Sequence, residues 1–250
     1  MFEPAAEPHD VPLSLPPRIV PIQRLAALFE VTLCSGFPSQ LFVIGVLTAL
    51  GMHFRTPAGD LSPAFVFTLS LVDTVLVVGL VIFFLHAHRE SPRQVLIGPH
   101  RPWREAALGI ILMPATFMLV VLVMFAILTF APSLHNVPRN PLEDMLKNRQ
   151  DAIIFAFVVM IAGGVREELQ RGFILHRFDQ YLGGGLVGVV FFSAVFGLGH
   201  IDQGHDASIA TALLGAVWGG LYLIRRSVVA PMVSHATFNL AQLVNYLALR

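Results

Sequence analysis

The segment Gly163-Gly-Val-Arg-Glu-Glu-Leu-Gln-Arg-Gly-Phe-Ile-Leu175 decides how this chain folds. It follows the apolar run 152–162, which is typical of the first half of a membrane-spanning helix. The helix then carries four charged side chains within six residues: Arg166, Glu167, Glu168 and Arg171. A charge at the centre of a transmembrane helix costs about 2.5–3.5 kcal/mol on insertion scales, so such residues are rare and usually functional. We therefore interpret this segment as the functional centre of a membrane-embedded helix.

The composition of the chain supports this interpretation. Of its 250 residues, 55% are hydrophobic and 13% are charged, whereas charged residues make up about 25% of an average soluble domain. The formal net charge is zero, which gives no indication of a nucleic-acid partner. Cys34 is the single cysteine, which excludes an intramolecular disulfide and a cysteine-cluster metal site.

The apolar runs predict an all-α fold, a polytopic membrane helix bundle of about seven transmembrane helices, or eight if the first is broken near Pro38. The predicted spans are 25–50, 64–86, 106–130, 152–181, 186–200, 208–224 and 228–249. Residues 1–21 contain six prolines and three acidic residues, which predicts a disordered tail ahead of a bundle that occupies residues 22–250. Asn140-Pro-Leu-Glu-Asp144 predicts a short helix at the membrane surface, with an asparagine cap.

Basic residues in short loops predict the orientation of the bundle. With the N-terminus inside, the cytoplasmic set is Arg18, Arg24, Arg89, Arg93, Arg101, Arg104, Arg177, Arg225 and Arg226. The smaller outer set is Arg55, Arg139, Lys147 and Arg149. We therefore expect an integral protein of a bacterial inner membrane, in contact with lipid, with its N-terminus in the cytoplasm.

Two acidic residues lie in apolar spans away from the functional centre. We interpret Glu30, near the start of the first span, as an interfacial charge. Asp73 lies in the middle of the second span, where a functional role and a structural hydrogen bond to a neighbouring helix both remain open.

Three more polar residues accompany the charged segment. His200 ends the fifth span, while His235 and Asn239 lie one turn apart on one face of the seventh. At about 1.5 Å per residue, Glu167 and both histidines reach similar depths. A carboxylate can act as general base toward water, while a neutral imidazole and an amide can donate to the oxyanion that forms on a peptide carbonyl. The pattern favours hydrolysis of a peptide bond.

At these residues the sequence resembles the CAAX-prenyl-protease and bacteriocin-processing family of intramembrane endopeptidases, also called the Abi family. The family pattern is Glu-Glu…Arg, then Phe-x-x-x-His, then His-x-x-x-Asn on successive helices. The corresponding residues here are Glu167, Glu168, Arg171, Phe196, His200, His235 and Asn239. The similarity covers about residues 155–245, within a catalytic core of about 152–249. It implies a glutamate-dependent, membrane-embedded protease in which the first glutamate and the histidines serve the attacking water.

One spacing departs from the family pattern. The family usually has three residues between the glutamate pair and the arginine, and this chain has only Leu169 and Gln170. Alignment on the glutamates keeps Glu167 as the base and requires a local adjustment of the helix. Alignment on Arg171 makes Glu167 the second glutamate and puts Arg166 at the first position, which would indicate a degenerate member.

The resemblance leaves several functions open. The leading hypothesis is an endopeptidase without a cofactor that acts on membrane-associated, including prenylated, proteins or peptides. A zinc-dependent variant could use His200, His235 and a glutamate as ligands, although the chain has no His-Glu-x-x-His motif. A degenerate member could act as a membrane scaffold or chaperone. A transporter is a fourth possibility, which the clustered polar residues and the lack of a repeat disfavour.

The peptidase hypothesis has a geometric consequence. A water shared by a base and an imidazole requires a Glu167 oxygen within roughly 6 Å of a nitrogen of His200 or His235. Asn239 should line the same cavity, Glu168 should be less central, and Arg171 should pair with a glutamate inside the bundle. We expect the cavity to open toward the cytoplasm or sideways between helices.

Overall fold

The structure is a computed structural model that describes residues 20–248. Within that range the chain is helical, and the one β-type contact is an isolated bridge between Arg55 and Leu61. The α-helices are α1 (Pro21–Leu33), α2 (Phe37–Ala49), α3 (Pro63–Ala87), α4 (Pro102–Phe130), α5 (Pro141–Asp144), α6 (Arg149–Val158), α7 (Glu167–Tyr181), α8 (Gly185–Leu198), α9 (His205–Arg225) and α10 (Val229–Ala248). Short π-helical segments cover Arg93–Ile97 and Val159–Arg166, and 3₁₀ turns cover Pro132–Leu134 and Ile201–Gln203.

The first predicted span is broken into α1 and α2, which meet at 41°. Gly36 caps α2 in the left-handed conformation, with φ of +86°, where a glycine has no steric penalty. Pro38 lies in the first turn of α2, where its missing N–H is not needed. The glycine thus makes the turn, and the proline follows it.

The fourth predicted span is one continuous helical path with a change of winding. It consists of α6, the π-helical segment Val159–Arg166 and α7. π-Helical turns are rare, and they occur mostly inside α-helices at functional sites. This segment ends immediately before Glu167, so the π-helical winding helps to set the direction of the glutamate side chain.

Three helical stretches are long and apolar enough to cross a membrane: Pro63–Ala87, Arg93–Phe130 and His205–Arg225. The bent pair of α1 and α2 makes a fourth if it is one span. The count of seven therefore stays a prediction. Charged side chains make α7 polar, and α8 has only 14 residues, so neither has the length and composition of a simple span.

The loop 131–148 contains the short helix that its sequence predicts. Asn140 caps α5 by accepting a hydrogen bond from the Leu142 amide, with Pro141 as the first helical residue. The predicted tail lies outside the described residues as far as residue 19, and Pro21 is already the first residue of α1.

Close approach of α10 to the π-helical segment brings the two halves of the candidate site together. A Cβ on Gly163 would lie 2.5 Å from the amide nitrogen of Asn239, and one on Gly164 would lie 2.5 Å from the Ala236 methyl. Both distances are below van der Waals contact, so larger side chains here would force α10 away. The glycine pair therefore sets the distance between Glu167 and the polar face of α10.

Candidate active site

The charged side chains of the central segment point in three directions. Arg166 contacts Asp73 on α3, and Gln170 donates to the Cys34 carbonyl at the break between α1 and α2. Glu167 lines a cavity. Glu168 and Arg171 bond to each other and are each 1% exposed. The cost of placing four charges at membrane depth is therefore offset by ion pairs on two faces.

Glu168 holds both Arg171 and His235. Its Oε1 accepts from the Arg171 guanidinium, three residues later in a regular α-helix, and from Nδ1 of His235 at 2.8 Å. The short Glu-Glu-x-x-Arg spacing therefore needs no adjustment between the glutamates and the arginine. Arg171 pairs with Glu168 rather than Glu167, which leaves Glu167 free of the arginine.

Aromatic rings enclose the rest of the Arg171 guanidinium. Its central carbon lies 4.7 Å from the ring centroid of Phe196, 5.7 Å from Trp218 and 5.8 Å from Phe192. Its Nε and Nη2 have no hydrogen-bond partner among the described residues. The negative faces of aromatic rings attract a cation, which offsets part of this cost.

Glu167 and His235 approach each other across the edge of the cavity. Oε2 of Glu167 lies 3.8 Å from Nε2 of His235, well within the expected 6 Å. This distance is too long for a direct hydrogen bond, and a separation of this size is one that water can bridge. The Glu167 side chain is 17% exposed, whereas that of Glu168 is 1% exposed.

The cavity has a volume of about 420 Å³ and brings the predicted residues together. Its lining includes Glu167, His200, His235 and Asn239, but neither Glu168 nor Arg171. Glu168 is therefore outside the cavity, although it contacts a histidine directly. Asn239 approaches the Val159 carbonyl through its amide nitrogen at 3.5 Å.

Hydrogen-bond partners determine which ring nitrogens carry protons. Nδ1 of His200 lies 2.8 Å from the Phe196 carbonyl, which can only accept, so this nitrogen carries a hydrogen. Nδ1 of His235 likewise faces the Glu168 carboxylate. In a neutral ring the Nε2 atom is then an acceptor. The expectation that a neutral histidine donates to an oxyanion is therefore wrong for these tautomers.

Two residues of the site had no role in the prediction. Trp218 stacks on His235 with ring centroids 3.8 Å apart, and its Nε1 donates to Ser234 at 3.2 Å. It lies on α9, within the predicted span 208–224. Glu143 also lines the cavity. Burial and then the neighbouring Asp144 raise the pKa of Glu143, and only its place in a loop could have drawn attention to it.

The cavity occupies one half of the bundle. Its lining comes from the start of α3, the later part of α4, α5, α6, the π-helical segment, the first residue of α7, the end of α8, the first two thirds of α9 and the middle of α10. The ends of α4 and α8 and the start of α9 adjoin the loops 131–148 and 199–204, and α5 lies within the first of these loops. The basic residues predict that those loops lie outside, which would put the cavity on the side away from the cytoplasm. The expected cytoplasmic opening and the expected orientation therefore do not agree.

A second buried polar cluster lies at the other end of the bundle. Glu30 is 4% exposed and bonds to Arg177 and His88, each at 2.6 Å. Arg177 also bonds to Glu90, which accepts from His176 and Gln180. Glu30 is therefore buried by an ion pair with Arg177 at the level of the loop residues His88 and Glu90, and its place at the membrane interface stays a prediction. Asp73 is likewise bonded to neighbouring helices, and this structural role does not exclude a functional one.

Residues 20–248 contain no group of three or more histidine, cysteine, aspartate or glutamate side chains arranged to hold a metal ion. His200, His235 and Glu167 share the cavity without forming such a group.

Comparison with known families identifies the region that forms the site. Residues 149–241 match the family model described as "Rce1-like: Type II CAAX prenyl endopeptidase Rce1-like". Neither curated proteins nor solved structures give a significant match. The matched segment runs from α6 into α10 and includes the glutamate pair, both histidines and the asparagine. Through this segment the chain is similar to the Rce1-like type II CAAX prenyl endopeptidases, a family of proteases, and its long apolar helices are those of a membrane protein.

Proposed function

We propose that the protein is an intramembrane endopeptidase that uses Glu167 and His235 to activate water. The observation that carries this proposal is the 3.8 Å separation of the Glu167 carboxylate and His235 Nε2 at the edge of a polar cavity. Both atoms are acceptors if His235 is neutral, and a water molecule has two hydrogens to donate. One water would therefore be oriented by both groups.

The reaction then follows general-base hydrolysis. Glu167 takes one proton as the water oxygen attacks the peptide carbonyl, and the same proton passes to the leaving amine when the C–N bond breaks. Glu168 and Arg171 do not contact the water in this scheme. Glu168 fixes the His235 ring through Nδ1, and Arg171 balances the charge of Glu168.

The oxyanion requires a donor other than a neutral histidine. Asn239 is the candidate, because its amide lines the cavity and its contact with the Val159 carbonyl, at 3.5 Å, is long. A preorganised donor of this kind contributes about 2.7–4 kcal/mol to the stabilisation of a transition state. His200 can add a second donor only when its ring is protonated.

We propose a membrane-associated protein or peptide as the substrate, prenylated or not, as in the family. The described lining of the cavity includes two carboxylates and neither lysine nor arginine. A peptide carboxylate at that depth would find no basic partner, so we expect an internal or C-terminally amidated segment to be preferred. The mechanism needs no cofactor. The zinc-dependent alternative would require His200, His235 and Glu167 to move together, since they do not form a metal-holding group in the described residues.

The decisive experiment is cleavage by purified protein in liposomes. The substrates are an internally quenched farnesylated CAAX peptide, its amidated form and an unprenylated transmembrane peptide. Glu167→Gln keeps the shape and removes the base, and we expect a loss of about 10²–10⁴-fold in kcat. His235→Ala and His200→Ala should also reduce cleavage while the protein still folds.

Three outcomes would contradict the proposal. Wild-type cleavage by Glu167→Gln would exclude Glu167 as the base. Stoichiometric zinc that is lost together with activity would favour the metal-dependent alternative. Unchanged cellular function in all three variants would favour a scaffold or chaperone.

We also propose that the helices that are too short or too polar to be simple spans lie in the membrane with the others. The seven-span arrangement then has its N-terminus in the cytoplasm of a bacterial cell. The stronger basic charge around 88–104 and 225–226 supports this orientation.

A further inference from the structure

Arg166 lies between two carboxylates, one in the candidate site and one outside it. Its guanidinium bonds to Asp73 on α3 through Nη2 and lies 3.8 Å from Oε1 of Glu167 through Nη1. The other oxygen of Glu167 faces His235, also at 3.8 Å. One oxygen of Glu167 therefore has a cation as its neighbour and the other has a ring nitrogen, and at 3.8 Å neither contact is a direct hydrogen bond.

The pair of Arg166 and Asp73 is buried and is held by α2 and the turn before it. Asp73 is 2% exposed and Arg166 is 7% exposed. Ser39 on α2 donates to the other oxygen of Asp73. At the break before α2, Gly36 leaves room for the guanidinium, because a Cβ there would lie 2.6 Å from Nη2 of Arg166. These contacts keep the arginine directed toward α3.

From this geometry we propose that Asp73, together with Ser39, is a positioning residue that holds Arg166 back from Glu167. The inference rests on the proposed function, because it concerns the base of that site. It involves helices outside the family match at 149–241. A guanidinium in direct contact would lock Glu167 in an ion pair and oppose its protonation. At 3.8 Å the Arg166 guanidinium is not in direct contact with Glu167, and its charge still orients the carboxylate.

The charges around Glu167 determine how each substitution should change the surroundings of this carboxylate. The charged and titratable groups around Glu167 are Arg166 and Glu168 beside it in the chain, Asp73 on the far side of Arg166, His235 from α10, and His200 and Glu143, which share its cavity. In Asp73→Asn the guanidinium loses its carboxylate partner and moves onto Glu167. In Arg166→Gln the two carboxylates lose the cation between them.

The test combines catalysis with a measurement that does not depend on catalysis. For Asp73→Asn we expect kcat on the farnesylated peptide to fall about 10–100-fold, as expected for a displaced catalytic group, with KM within about twofold. Mass spectrometry would measure modification of Glu167 by a water-soluble carbodiimide and glycine ethyl ester. The modification should slow several-fold in Asp73→Asn. Ser39→Ala should show the same changes more weakly.

Two controls separate positioning from folding. Glu105→Gln removes a carboxylate of similar burial, which pairs with Arg225 elsewhere, and it should leave both kcat and labelling of Glu167 unchanged. The double exchange Asp73→Arg with Arg166→Asp rebuilds a buried pair but places a carboxylate against Glu167. It should recover thermal stability relative to the single variants without recovering kcat.

The proposal fails if Asp73→Asn retains both kcat and the labelling rate, or if the double exchange restores kcat together with stability. If the double exchange does not fold, the labelling rate in Asp73→Asn decides the question. Should the wild-type protein cleave no peptide, the proposed function fails, and the labelling experiment still decides whether Asp73 restrains Arg166.

Discussion

Arg171 shows how a single residue can be essential for the site without lining it. The guanidinium is 1% exposed, and its removal would leave Glu168 with a buried charge whose remaining partner is His235. Loss of one partner of a buried ion pair costs roughly 3–5 kcal/mol. We expect Arg171→Ala to lower expression, thermal stability in detergent and activity together. Arg171→Lys should recover little, because an ammonium cannot fill the planar space between the rings.

A matched comparison distinguishes this from a general effect of charge removal. Arg226 pairs with Asp179 in a half-exposed position, and exposed pairs contribute about 0–1 kcal/mol. Arg226→Ala should therefore leave the melting temperature almost unchanged. Equal losses in the two variants would contradict the buried role of Arg171.

The polar residues of the site could be predicted because charge in an apolar run is conspicuous. Glu167, His200, His235 and Asn239 were all identified in this way, and the structure places them around one cavity. Their partners could not be predicted. The sequence does not reveal that Glu168 holds His235, because this contact depends on the rotation of α7 against α10.

At the scale of elements, the cluster around Glu90 connects the ends of α1, α3 and α7. Burial acts to raise the pKa of Glu90, but hydrogen bonds from Gln180, His176 and Arg177 outweigh it, so the pKa is lowered from 4.5. A carboxyl whose pKa is depressed in the folded state stabilises that state above its unfolded pKa. This stabilisation is lost as the pH falls through the folded pKa.

We predict that the melting temperatures of wild type and Glu90→Gln differ by an amount that depends on pH. Wild type should melt at a higher temperature than Glu90→Gln at pH 7. The difference should shrink as the pH falls below about 4.5 and vanish once Glu90 is protonated. Melting curves in detergent between pH 3 and pH 7 would measure it. A difference that stays constant over this range would show that Glu90 contributes by shape alone.

Helix positions were largely predictable, and their winding was not. Apolar runs located α3, α4, α8, α9 and α10 to within a few residues, since the membrane requires long apolar helices. The π-helical segment leaves no periodic signal, because eight residues are too few to show a change of period. The structure also shows that Asn239 and Ala236 of α10 pack against the glycines at 163 and 164.

At the scale of the whole molecule, the side from which substrate reaches the cavity depends on orientation. The cavity adjoins Gln203, whereas Arg101 lies at the opposite end of the bundle. With a cytoplasmic N-terminus, a membrane-impermeant maleimide should label Gln203→Cys in intact spheroplasts. Arg101→Cys should react only after permeabilisation. The native Cys34 is buried and should contribute little background.

The reverse labelling pattern would place the N-terminus outside and the cavity on the cytoplasmic side. Basic residues predict orientation only through their bias between loops, and that bias depends on the number of spans. Three or four stretches have the length and composition of simple spans. The others were predicted from shorter or more polar runs, whose depth depends on packing that the sequence does not show.

The π-helical segment before Glu167 also bears on how this helix tolerates insertions and deletions. An i→i+5 hydrogen bond encloses one more residue than an α-helical bond, so the segment can lose a residue and close as an α-helix. We expect deletion of Ile161, which is 39% exposed, to preserve folding and the direction of Glu167. Deletion of Leu169 should instead rotate Arg171 by about 100° from Glu168 and prevent folding. Limited proteolysis and melting curves would compare the two deletions. A residue can then be lost upstream of the glutamates in evolution without moving them, while the interval from Glu168 to Arg171 cannot become shorter without a new partner for the arginine.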